Sequence, residues 1–139
     1  MGRILAIDYG LKRIGLAQTD EMKLIASPLD TVSSKDIFKY LHSYFQNENI
    51  ESIVIGDPKT LDNKPAIITK KILVFKDKLK KMCDKPIYFI DERFTSRIAL
   101  KSLVDMNTTK RQRRDKSLVD KISATLILQS YLYREKNIL

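Results

Sequence analysis

A single cysteine, Cys83, rules out an internal disulfide and suits a reducing compartment. A single histidine, His42, leaves no ligand set for a zinc centre, and its setting in K-Y-L-H-S-Y-F is that of a packed or surface helix residue. Four glycines and four prolines are too few for a low-complexity chain; together with 43% hydrophobic residues they indicate a compact fold and exclude disorder. No apolar run is long enough to span a bilayer, which excludes a membrane partner of that kind. Met1-Gly-Arg opens straight into a strand, without the charged and apolar regions of a leader. These absences predict a cytoplasmic protein forming one domain over residues 1–139.

What the chain has in excess is positive charge. It carries 26 Lys+Arg against 17 Asp+Glu, a net charge of +9. That balance favours a polyanionic partner, because each phosphate neutralised releases condensed counterions. Part of the charge lies between Lys70 and Lys85, in a stretch with the pattern of an amphipathic helix.

Hydrophobic period sets the order of elements. Arg3–Tyr9, Ile14–Thr19 and Lys23–Thr31 read as strands joined by short turns, hence antiparallel hairpins. Pro28 marks the third as an edge strand or the site of a bulge. The period changes at Ser33-Ser34-Lys35-Asp36, which offers helix caps, and Ile37, Tyr40, Leu41, Tyr44 and Phe45 then recur at helical spacing. Ser52–Ile55 is a short buried strand, Pro65 to Met82 a helix, and Pro86–Ile90 another buried strand. A short helix over Thr95–Val104, a basic segment over Met106–Lys116 and a last helix over Ser117–Lys136 complete the chain. The expected fold is α/β, with three antiparallel strands followed by two parallel ones in a five-stranded mixed sheet.

Three acidic runs sit far apart, each at the edge of an apolar segment: I-L-A-I-D8-Y-G, I-Y-F-I-D91-E92-R and S-L-V-D120-K-I-S-A-T-L. Strand alternation puts Asp8 on one face with Ile4 and Ala6, at a position where a lone buried charge is costly unless paired or bound to metal. Asp8 can equally be a strand-end residue capping the turn at Gly10. Asp91 and Glu92 are adjacent, so only one of them can share the face of Asp8. Asp120 heads a stripe with Ala124, Ile127 and Tyr131, which should face the sheet, while Ser117 and Asp120 together also match a capping box. Carboxylates of this kind suit Mg²⁺ or Mn²⁺, and two such ions clamp an in-line phosphodiester displacement. Lys12, Arg13, Arg93, Lys110, Arg111, Arg113 and Arg114 flank the acids and are candidate phosphate contacts; a solvated basic loop is the plain alternative for the last four. Gly10 and Gly15 offer close backbone approach to a ligand or a positive φ, with simple turn geometry as the plain alternative. Gly56-Asp57-Pro58 ends a strand where open α/β sheets bind ligands.

Four stretches carry a resemblance. I-L-A-I-D-Y-G-L-K-R-I-G-L-A-Q-T-D, I-V-I-G-D-P, F-I-D-E-R-F-T-S and V-D-K-I-S-A-T-L-I-L-Q-S-Y-L follow in order and nearly span the chain. It resembles the YqgF, or RuvX-like, family of the ribonuclease H-like superfamily. The resemblance implies a ribonuclease H-like fold with helices on both faces of the sheet. It also implies a metal-dependent nuclease acting on the 5′ end of pre-16S rRNA, with ribosomal assembly intermediates as partners, or a resolvase of four-way DNA. A nonenzymatic RNA-binding assembly factor is the remaining alternative. The family pattern places catalytic, metal-holding acids on Asp8, the D-E-R run and Asp120, and likeness to RuvC favours Glu92 over Asp91. Asp57 departs from the usual G-L-P of the family; it is a further metal-shell ligand or a surface substitution. Monomer and dimer both remain open.

Overall fold

The computed structural model describes residues 2–57, 66–91 and 116–138. The elements run β1 (Arg3–Asp8), β2 (Arg13–Thr19), β3 (Ala26–Ser33), α1 (Ile37–Asn47), β4 (Ile50–Asp57), α2 (Ala66–Met82), β5 (Ile87–Asp91) and α3 (Lys116–Ile138). They form a five-stranded sheet in the order β3-β2-β1-β4-β5. β1, β2 and β3 pair antiparallel, whereas β1–β4 and β4–β5 pair parallel. This is the mixed sheet expected from the hairpin spacing followed by continuous apolar runs.

Pro28 does both things expected of it. β3 is the edge strand, and its register slips opposite Leu16 and Ala17, so that Leu16 pairs with Asp30 and Ala17 with Pro28. The strand starts later than the expected Lys23, at Ala26, because the chain first makes a tight loop. The Asp20 carboxylate accepts the N–H groups of Met22, Leu24 and Ile25, and Lys23 takes a left-handed φ of 59° inside that loop. The expected side-chain cap of α1 is absent. Asp36 occupies the cap position without a side-chain bond to the helix, and Ser34 donates its hydroxyl to the Leu11 carbonyl instead. The stripe of α1 is as expected, with Ile37, Leu41 and Tyr44 buried. The helix expected over residues 95–104 and the basic segment over 106–116 lie outside the described residues, apart from Lys116 at the start of α3.

Alternation along each strand divides the core in two. On one face Leu5, Ile7, Ile14, Leu16, Ile53 and Ile55 pack under α1 and α2, meeting Leu41, Phe75 and Leu79. On the other, Ile4, Ala6, Ala17, Val54 and Ile90 pack under α3, meeting Ala124, Ile127, Leu128 and Tyr131. α3 crosses the sheet from edge to edge. Its first turn is tied to β3 by the Thr31 hydroxyl donating to the Ser117 carbonyl at 2.6 Å, and further along Tyr131 stacks on Tyr88 of β5 with ring centroids 5.9 Å apart.

Candidate active site

Asp8 is the last residue of β1 and shares the α3 face with Ile4 and Ala6. Its antiparallel partner is Gly15 of β2. Directly opposed residues of such a pair have Cα atoms about 4.5–5.5 Å apart. Gly15 in turn lies beneath α3. A Cβ added there would come 2.6 Å from the carbonyl carbon of Asp120 and 3.2 Å from its Cβ, in collision with the helix backbone. Gly15 therefore admits the helix itself, and φ is not positive at any described glycine. The two acids, distant in sequence, converge on this one residue: Asp8 beside it in the sheet, Asp120 above it.

The stripe expected for α3 is present, since Ala124, Ile127 and Tyr131 are all buried against the sheet. Asp120 stands at its open end with its side chain 24% exposed. The helix begins at Lys116, so Ser117 falls within the first turn and not at the cap position that the capping box requires. Asp120 is held from the sheet instead: Arg13 donates from Nε to Oδ2 at 2.9 Å. Arg13 and Gly15 alternate onto the same face of β2, which brings the guanidinium to the carboxylate. The Arg13 side chain is 40% exposed, so part of the guanidinium faces solvent. Arg13, expected as a phosphate contact, is seen to hold an acid.

The remaining expected residues divide as follows. Asp57 lies opposite Asp91 in the β4–β5 register, and alternation puts it with Ile53 and Ile55 on the α1/α2 face, away from Asp8. This agrees with a surface substitution and not with a further ligand beside Asp8. Gly56, its neighbour, falls on the α3 face and pairs with Ile90. Glu92, Arg93, Lys110, Arg111, Arg113 and Arg114 lie outside the described residues. Among the described residues no three His, Cys, Asp or Glu side chains cluster as a metal site would require. Burial raises the pKa of Tyr9, next to Asp8, and of Tyr131, below Asp120 on the helix, so both phenols stay neutral at pH 7. Sequence reasoning missed the helix contact at Gly15 and the Thr31–Ser117 tie. The signal for the first was available, since a glycine inside a strand marks close approach by another backbone.

Five strands in this order, with a diagonal helix carrying an acid back to the end of β1, define a ribonuclease H-like α/β protein. Its backbone superposes on Thermus thermophilus RuvC in complex with a Holliday junction substrate with a TM-score of 0.60, at 14% identity over 97% of this chain and 96% of that one. Residues 2–134 match the family described as "RuvX: Holliday junction resolvase". A relative from Christiangramia forsetii is 49% identical over 134 residues, covering 96% of this chain and 99% of the relative. One from Phocaeicola vulgatus is 45% identical over 139 residues, covering 99% and 100%. Both relatives are named "Putative pre-16S rRNA nuclease". The chain belongs to the RuvX family.

No described helix is long and apolar enough to cross a membrane.

Proposed function

We propose that this chain is a cytoplasmic nuclease that hydrolyses phosphodiester bonds at the 5′ end of pre-16S rRNA. The observation that carries this reading is the convergence of Asp8 and Asp120 on Gly15, on a protein of net charge +9. The names of the relatives supply the substrate.

The donor set fits a hard divalent cation. Asp8 and Asp120 offer oxygen ligands only, at the end of a sheet and partly open to solvent. Glu92 is the third acid of this reading, carried by the resemblance of the D-E-R run to the family pattern, with Asp91 as its alternative. Asp8, Asp120 and Glu92 would hold Mg²⁺ or Mn²⁺, as two ions in the full scheme, and the bound metal would lend positive charge to the scissile phosphate. The chain's own residues hold and orient. Gly15 sets the spacing between the two acids, and Arg13 fixes the rotamer of Asp120. The remaining N–H groups of Arg13 can meet a phosphate oxygen at the same place.

The test is cleavage of pre-16S rRNA with Mg²⁺ or Mn²⁺ by wild type and Asp8→Asn side by side. Wild-type cutting that disappears in the mutant is the expected result, and persistent cutting by pure Asp8→Asn sinks the assignment. A second reading, cleavage of four-way DNA, is favoured by the family description and by the RuvC likeness in fold. A synthetic four-way junction in the same assay separates the two, and silence on both substrates leaves a nonenzymatic assembly factor.

A further inference from the structure

Tyr9 follows Asp8 directly, so the two alternate to opposite faces at the same end of the sheet. On the face away from the acids, Tyr9 lines a groove between α1 and α2 of about 300 Å³. That volume is at the lower end of the range for small-molecule sites, about 300–1,000 Å³. Two partly exposed rings line it, Tyr9 and Phe38, packed on either side of the buried Phe75 with centroid separations of 5.1 and 5.4 Å. Lys71 and Lys78, two turns apart on α2, stand along one side, and Nζ of Lys78 lies 5.9 Å from the Phe38 ring. Between them Val74 is 55% exposed, an apolar surface that no described residue covers. Among the described residues no carboxylate pairs with Lys71 or Lys78, and α2 carries six lysines against one aspartate.

Aromatic rings between cationic side chains are the elements of a site for single-stranded nucleic acid, where rings stack bases and lysines track phosphates. The location adds direction. Adjacent Cα atoms are about 3.8 Å apart, so a strand leaving the acids needs only to cross the end of β1 to reach Tyr9. We propose that the α1–α2 groove binds a base and the flanking phosphates of a single-stranded segment leading away from the cleavage site. The proposal rests on the nuclease reading for what the strand is, but its binding test does not need cleavage.

The test is fluorescence anisotropy of the full chain with a labelled single-stranded RNA in EDTA, over a salt series. Lys71→Gln with Lys78→Gln should weaken binding about tenfold or more and reduce the salt slope by about 1.4, near 0.7 for each phosphate no longer neutralised. Val74→Glu should weaken it to a similar degree by placing negative charge in the groove. Lys80→Gln with Lys85→Gln removes the same charge on the opposite side of α2 and beyond its end, and should change affinity by less than about threefold, since screened charges off the path contribute little. All these positions are solvent-exposed, and a thermal melt checks that each variant is folded. Groove variants that bind like wild type, or a control that loses as much as they do, would overturn the proposal. Wild type that cuts pre-16S rRNA yet fails to bind the single strand would overturn the groove and leave the nuclease reading standing. Groove-dependent binding without cleavage of any substrate would support the groove and count against the nuclease.

Discussion

The two faces of the sheet are built on opposite principles. Under α1 and α2 the strands present Leu5, Ile7, Leu16, Ile53 and Ile55, large side chains on which the two helices pack. Under α3 they present Ile4, Val54 and Ile90 together with the small Ala6, Ala17 and, at the crossing point, Gly15. The first face is filled by volume, the second by closeness. Hydrophobic burial grows with apolar area, so the first contributes more to stability. Close approach of backbones instead fixes position, and it is on that face that the acids meet. Stability and function are thereby separable by face, and four substitutions test this.

The largest effect belongs to Asp8→Asn. It should lower cleavage on the order of 10³-fold, a loss of several kcal/mol in the transition state, with the denaturation midpoint nearly unchanged. Ile7→Ala, one residue earlier but on the other face, should do the reverse. It should destabilise the fold by about 2–5 kcal/mol in chemical denaturation while leaving turnover per folded molecule nearly intact. If Ile7→Ala removed activity from fully folded protein, the separation of faces would fail. Gly15→Ala is the sharpest probe, because its new methyl meets helix backbone and not a yielding side chain. It should cost about 1–3 kcal/mol and, by shifting α3, lose activity far beyond what that destabilisation explains.

Smaller effects lie at the margins. Arg13→Gln breaks a part-exposed ion pair, which is worth under about 1 kcal/mol; a melt should barely register it, whereas cleavage should fall through loss of Asp120 orientation. The smallest is a pH effect in the β2–β3 loop. Backbone N–H groups, that of Ile25 first, hold the Asp20 carboxyl below the ordinary carboxylate range. A depressed folded pKa means stability that is present above the unfolded pKa and lost as pH falls through the folded one. Asp20→Asn should therefore melt lower than wild type above about pH 5, and the gap should close in acid. A gap that widened on acidification would contradict the assignment.

Much of this architecture was legible in the sequence for a local reason. Apolar runs such as Ile53–Ile55 and the 3.6-residue stripe from Asp120 to Tyr131 are properties of consecutive residues, and both the parallel strands and the buried helix face follow from them. What escaped was non-local. A glycine inside a strand marks close approach, but nothing near Gly15 in the sequence indicates that the approaching backbone is that of Asp120, so turn geometry and ligand approach looked equally good. Ser117 and Asp120 matched a capping pattern, but the Arg13 guanidinium, 107 residues away, engages the carboxylate. The start of β3 moved from Lys23 to Ala26 because the Asp20 carboxylate captures three N–H groups downstream, a competition that alternation does not encode.

The diagonal course of α3 has a consequence for when the site exists. Asp8 is fixed by the first hairpin, a contact between near neighbours that can close early, whereas Asp120 arrives only when the helix docks on strands formed from distant parts of the chain. Loop-closure entropy places such long-range docking late in folding. A partly folded chain would have the sheet and one acid but no pair, and local undocking of α3 would have the same effect in the finished protein. The arrangement thus makes complete folding a precondition for cutting.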